Sequence, residues 1–181
     1  MDMKGLFKQD TFRDYTVRKA TDQDAETVIQ MIREAAGWLA DKGIHQWDYY
    51  LTDEAMLEIN QAIKAGTTYL IENQEKYAVT TFNLSLEQSE LDISVWGNRN
   101  DRALYLHRLA VDKNYRHKRI GKGLLEWICV NSLLDDGVIR LDCVADNPAL
   151  NQFYVNAGFT FSGYVRAKEI QFSRYERPLN A

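Results

Sequence analysis

The chain has 181 residues, 45% apolar and 27% charged, with a formal charge of −4 at pH 7. That length allows one domain with a sizeable core, and those fractions belong to a globular chain rather than a disordered or fibrous one. No apolar run is long enough to span a bilayer and no stretch has the pattern of a secretory signal. An acidic chain with a single short basic run argues against a nucleic-acid surface.

In chain order, residues 1–14 read as a polar leader with little periodicity, expected to be partly mobile, and 15–181 as a single domain. Residues 15–18 read as a first strand. Thr21 with Asp24 marks a helix start, Val28, Met31, Ile32, Ala35 and Leu39 recur at helical spacing, and Gly43 ends that helix. Thr52 is placed to cap a second helix carrying Met56, Ile59 and Ile63, which stops near Gly66. Residues 68–71 and 77–82 read as antiparallel strands, 92–96 as a short extended piece, and 104–111 as the central strand. Leu124, Leu125, Ile128, Cys129 and Leu133 mark a further helix, and Val138–Val144 a further strand. Asn147 is a good N-cap, Pro148 a good first helical residue and Gly158 a good stop, which together define a short helix. Two β segments, 159–165 and 169–175, close the chain. The order predicts an α/β (α+β) fold with a mixed sheet of about six to seven strands and about four helices.

The stretch that carries chemistry runs from Leu104 to Leu125. Its apolar strand flows into a short basic loop, then into a helix opening on Gly121 and Gly123. Lys113, Arg116, Lys118, Arg119 and Lys122 place five positive charges in ten residues, against the acidic background of the rest. A helix N-terminus offers unpaired N–H groups and partial positive charge, so cations and glycines beside one point to a phosphate or pyrophosphate. The pattern is not a Walker loop and lacks the full Gly-x-Gly-x-x-Gly of a dinucleotide fold. The two cysteines, Cys129 and Cys143, sit in apolar segments and read as buried free thiols of a reducing cytoplasm. They lack metal spacing, only His45, His107 and His117 accompany them, and no metal site is expected.

Arg116-His117-Lys118-Arg119-Ile120-Gly121 resembles the Arg/Gln-x-x-Gly-x-Gly/Ala acyl-CoA pyrophosphate loop of the GCN5-related N-acetyltransferases, the GNAT superfamily. Leu109-Ala110-Val111 is similar to the Leu-x-Val that ends the family's fourth strand, and Leu124-Leu125 to the apolar pair that begins its third helix. One departure is Arg119, which stands where the family usually has its first glycine. A second register, Lys118-x-x-Gly121-x-Gly123, keeps both glycines but places the apolar pair less well. Downstream, 147–159 resembles the family's Asn-x-x-Ala/Leu…Tyr-x-x-x-Gly-Phe segment. The likeness covers nearly the whole chain from Tyr15 onward, specifically in these two motifs and topologically elsewhere.

The resemblance implies transfer of an acyl group, most often acetyl, from acetyl-CoA to a primary amine of a small molecule in a ternary complex. Residues of the loop (Arg116, His117, Lys118, Arg119, Ile120, Gly121, Lys122 and Gly123) would hold the pyrophosphate, and Leu109, Val111, Asn147 and Asn151 the rest of the coenzyme. A splay or bulge near Leu109 would free an N–H to polarise the thioester carbonyl. Tyr154 matches the family's proton donor to the departing thiolate. The amine must lose a proton to attack. His107 is the first choice of base, in a Leu-His-x-Leu-Ala-Val segment that resembles the arylalkylamine acetyltransferases. Asp142 is the second, unless it is an ion pair with Arg140 or Arg108. Trp47 and Asp48, in the aromatic and acidic segment 43–50, with Asp92 and Trp96, suit a cationic acceptor, although the same segment could instead seal the core. The other readings are a protein N-terminal acetyltransferase and a non-catalytic acyl-CoA-binding domain on the same fold. Homodimers are common in the family, but the sequence marks no interface, and no membrane partner is expected.

Overall fold

The computed structural model describes residues 5–181. By compactness the chain divides into two units: one of Gly5, Gln9–Leu84 and His107–Gly121, the other of Leu6–Lys8, Ser85–Leu106 and Lys122–Ala181.

The first unit opens with a hairpin of β1 (Thr11–Phe12) and β2 (Tyr15–Lys19). Thr21 and Asp24 then form a capping box that starts a single 3-10 turn, which runs on into α1 (Ala25–Asp41). The end of α1 is as expected: Gly43 adopts φ 76°, which favours glycine, and its N–H bonds the Ala40 carbonyl. Thr52 caps α2 (Asp53–Lys64), accepting a bond from the Ala55 N–H. Next come β3 (Thr68–Glu72) and β4 (Ala78–Ser85), antiparallel to each other, with β3 also antiparallel to β2. The second half of β5 (Ala103–Val111) completes this unit's part of the sheet. Val28, Ile32, Ile59, Ile63, Leu70 and Ala110 meet in one core cluster, which is why α1 and α2 carry their apolar residues at helical spacing. Burying each of the larger ones contributes about 1.5–3 kcal/mol.

The second unit contains the first half of β5, α3 (Glu90–Trp96), most of α4 (Ile120–Asn131), β6 (Val138–Val144), α5 (Pro148–Asn156), β7 (Thr160–Ala167) and β8 (Ile170–Pro178). β5 pairs with β6 in parallel, and the register ends at Tyr105↔Arg140. β6 continues antiparallel to β8 along its whole length, and β8 pairs antiparallel with β7. The hydrogen-bonded order is β1-β2-β3-β4-β5-β6-β8-β7, with β5 shared by the two units.

The structure departs from the sequence reading at residues 92–96 and extends it at the N-terminal end. Among the described residues there are eight strands and five α-helices, slightly more than the six to seven and four expected, because residues 11–12 contribute β1 and a helix takes the place of an expected extended piece. Residues 92–96 are that helix, not an extended piece. Ser89 and Asp92 make a reciprocal capping box there, with Asp92 Oδ2 accepting from the Ser89 N–H at 2.8 Å, and this local signal outweighs the β-branched Ile93 and Val95. In the leader, residues 1–4 lie outside the described part, but Phe7 is buried against Trp127, with ring centroids 4.7 Å apart, and bridges to Ser132. Phe12 is buried too, so a segment that looks polar on average carries two buried aromatic side chains.

Candidate active site

The break in β5 is local and backbone-deep. Arg108 has φ 51°, the left-handed region that a side chain enters at a steric cost. In a strand this interrupts the alternation, so Leu106 and Ala110 are buried while His107, Arg108 and Leu109 are half-buried. Arg108 Nη1 is held by Glu58 Oε1 of α2 at 2.9 Å. This irregular residue stands one position before Leu109, where the family resemblance implies a splay or bulge. Arg108 pairs with Glu58, and Arg140 with Asp101 and Glu176.

Beyond β5, Asp112 opens a 3-10 turn, Lys113–Lys118, by accepting from the Asn114 N–H at 2.9 Å, and the Tyr77 hydroxyl donates to the same carboxylate at 2.8 Å. The turn ends on Arg119 with φ 52° and ψ 33°, a left-handed residue immediately before α4. A glycine meets no penalty in that conformation, so the arginine occupies the backbone shape that a glycine would give. Arg116 lies 4.5 Å from the Trp38 ring centre and Lys118 lies 4.7 Å from that of Tyr115. Among the described residues Lys113, Arg116, Lys118, Arg119 and Lys122 make no ion pair, so five cations at the start of α4 lack a protein counter-ion. That arrangement fits a pyrophosphate. A nearby cleft of about 380 Å³, under α1, does not, since Asp24, Glu34, Glu72 and Asp112 line it.

Tyr154 lies on α5 in an aromatic surround: Phe153 at 5.3 Å, Tyr175 at 5.7 Å and Phe159 at 6.0 Å between ring centroids. Burial raises its phenol above the ordinary tyrosine range, and the neighbouring Cys143 and Asp142 push the same way. The hydroxyl makes no hydrogen bond within the described residues, so its proton is available to a ligand. Asn147 Oδ1 caps α5 through the Leu150 N–H at 3.2 Å. Asn151 Nδ2 donates to the Asn147 and Val144 carbonyls at 2.8 and 3.1 Å, and its Oδ1 accepts from the Tyr175 hydroxyl at 2.7 Å. Both asparagines spend these groups on orienting α5.

The acceptor-side residues divide. Trp47 packs against the core of the first unit, with Tyr50 edge-on at 5.3 Å, while Asp48 Oδ2 is bound by His45 Nδ1 at 2.9 Å. The segment thus seals the core and also presents a polar edge. Asp92 is buried in its capping box and its carboxylate lies within 4.8 Å of that of Asp142, which is half-buried on β6. Trp96 is 4% exposed and presents no open face; Arg140 and Arg174 lie 5.2 and 5.6 Å from its ring centre. Two features of the site were not read from the sequence: the left-handed backbone at Arg108 and the Glu58 that binds it. Arg119, by contrast, stood out in the sequence as a non-glycine at a loop position where the family has glycine.

The 65–161 stretch, more than half of the chain, matches the family model described as an acetyltransferase (GNAT) domain. The chain belongs to the GNAT family. It is 33% identical over 143 residues to the uncharacterized N-acetyltransferase YesJ of Bacillus subtilis (strain 168), covering 78% of this chain and 79% of that protein. A GNAT-family acetyltransferase from Listeria monocytogenes 4b F2365 superposes with a TM-score of 0.75 at 26% identity, over 99% of each chain. One from Streptococcus agalactiae 2603 gives the same TM-score at 17% identity, over 93% of this chain and 97% of that one, a likeness of fold. The family uses acetyl-CoA, and this GNAT protein is accordingly an N-acetyltransferase. Among the described residues, no helix is long and apolar enough to cross a membrane.

Proposed function

We propose that this GNAT enzyme acetylates the primary amine of a small molecule by direct attack, in a complex that holds acetyl-CoA and amine together. The observation that carries the reading is the left-handed turn at Arg119, which ends a cationic loop without counter-ions at the first turn of α4.

Acetyl-CoA supplies an acetyl group already activated as a thioester. The N–H groups from His117 to Lys122, with Arg116 and its neighbouring cations, bind the pyrophosphate. Leu109 and Val111 present main-chain groups to the pantetheine arm, and the break at Arg108 gives a freed N–H that polarises the thioester carbonyl. His107 takes a proton from the attacking amine, directly or through water, with Asp142 as the alternative base. A C–N bond forms, the C–S bond breaks, and the electron pair leaves on sulfur. Tyr154 donates a hydrogen bond to that sulfur. Because its phenol is held protonated, it stabilises the charge without first ionising. Trp47, Asp48 and Asp92 lend the acceptor side aromatic and carboxylate character that suits an ammonium group. The two free cysteines fit a reducing cytoplasm.

The test is release of coenzyme A thiol on mixing the protein with acetyl-CoA and separate panels of small amines and peptides. Turnover with small amines supports the reading. Turnover confined to peptides with free N-termini would replace the acceptor class. Saturable acetyl-CoA binding without turnover on either panel would leave a binding domain on an enzyme fold.

A further inference from the structure

We propose that Arg13, in the turn of the β1–β2 hairpin, is a positioning residue that holds the pyrophosphate loop in its binding shape by compensating for the absence of glycine at 119. The inference rests on the proposed role of that loop in binding coenzyme A.

Arg13 Nη1 donates to the Lys118 carbonyl at 3.0 Å and Nη2 to the Arg119 carbonyl at 3.2 Å. One guanidinium thus spans two successive peptide groups, which its planar fork suits and a single ammonium does not. Each peptide is trans, so a carbonyl and the N–H of the next residue point in opposite directions. Binding the Lys118 and Arg119 carbonyls on the hairpin side therefore turns the Arg119 and Ile120 N–H groups towards the opposite side. Those are two of the donors that the start of α4 offers to an anion.

The clamp matters because the loop is strained. Arg119 stands at φ 52° with a full side chain, and such a residue relaxes to other conformations unless its surroundings hold it. Arg13 is itself at φ 54°, and its guanidinium lies 5.0 Å from the ring centre of the buried Phe12, which anchors the hairpin turn. Among the described residues Arg13 has no carboxylate partner, so its charge also adds to the field that draws an anion to the loop.

The experiment is calorimetric titration with coenzyme A of the unmodified protein, Arg13→Ala, Arg13→Lys, Arg119→Gly and the Arg13→Ala/Arg119→Gly double variant, each checked by thermal unfolding. Arg13→Ala is expected to weaken coenzyme A binding about tenfold, the scale of losing two charge-assisted bonds that orient donors. Arg13→Lys is expected to recover less than half of that loss, since it restores charge but not the fork. Against the Arg119→Gly background the Arg13→Ala penalty shrinks to about twofold, because glycine needs no clamp. In steady-state assays Arg13→Ala raises the KM for acetyl-CoA and leaves kcat within about twofold, a split that general destabilisation does not produce. Unchanged binding by Arg13→Ala, full recovery by Arg13→Lys, or an equal penalty in both backgrounds overturns the inference. Absence of coenzyme A binding by the unmodified protein overturns the functional reading itself.

Discussion

Arg108 of β5 and Glu58 of α2 form an ion pair at 2.9 Å, and the arginine end of it is a left-handed residue whose side chain is only 9% exposed. The pair fastens the point where the strand breaks to the helix packed over it. Tyr50 belongs to the same cluster: its phenol is raised by burial and by Glu58, while Arg108 opposes the shift. Removing the carboxylate leaves a mostly buried guanidinium without its counter-charge. Glu58→Ala is therefore expected to destabilise the protein by about 1 kcal/mol, the low end for such a loss because Glu58 is itself half exposed. Urea denaturation measures this, and the double variant Glu58→Ala/Arg108→Gly should recover most of it, since glycine removes both the charge and the steric cost at φ 51°. A double variant less stable than the single one would show that Arg108 contributes something other than this pair.

Tyr154 is expected to act on turnover and not on coenzyme A affinity. Its ring sits among Phe153, Phe159 and Tyr175, so Tyr154→Phe keeps the packing and removes only the hydroxyl. The kcat should fall about a hundredfold, the lower end of general acid catalysis, with the KM for acetyl-CoA within about twofold. The raised phenol also fixes a sign. The donor stays protonated through the physiological range, so no alkaline fall in kcat below pH 10 should belong to it. The acid limb should belong to the base: if that is His107, His107→Ala abolishes that limb. An unchanged rate in Tyr154→Phe would remove the proton-donor role, and an unchanged acid limb in His107→Ala would move the base elsewhere.

Most of what the sequence made legible depends on neighbours in the chain. Asn147 caps α5, Thr52 caps α2 and Gly43 closes α1, each through bonds that span a few residues and follow from local chemistry. The basic loop and α4 were legible for the same reason. The features that were missed join distant parts of the chain. Glu58 meets Arg108 and Arg13 meets Arg119 across 50 and 106 residues, and no periodicity announces either pair. The left-handed backbone at Arg108 leaves the apolar composition of the strand intact, so only the family resemblance pointed to an irregularity near it. Residues 92–96 show the converse failure. Ile93 and Val95 favour a strand, but Ser89 and Asp92 close a capping box three residues apart, and the cap decides.

Acid should weaken the first unit through Asp24. Arg18 grips both its oxygens, at 2.7 and 2.9 Å, and also donates to the buried Glu72 at 2.6 Å. The arginine holds the Asp24 carboxyl down to about 2 from the ordinary 3.8. A lowered folded value means the contribution is complete above about pH 4 and is lost as pH falls towards 2. Arg18 is 36% exposed, so screening leaves about 1–2 kcal/mol of that effect. Asp24→Asn should flatten the stability profile between pH 4 and 2 and lower the plateau above it. A profile in the variant that falls as steeply as before would assign the acid sensitivity to other carboxylates.

The last prediction concerns the assay that all the kinetic tests share. Cys129 and Cys143 are both buried free thiols, and burial pushes them up to about 11 and about 12, with the Asp142 charge adding to the second. The reactive species is the thiolate, and at pH 7.5 its fraction at either site is far below that of an ordinary thiol. Native protein should therefore react with a disulfide-exchange reagent over hours, while coenzyme A released in turnover reacts within the mixing time. Unfolding in guanidinium should expose both thiols, giving two equivalents of rapid colour per chain. A rapid equivalent in the folded protein would mean that at least one of these segments opens on the assay timescale, and α4 and β6 would then be less rigid than their packing implies.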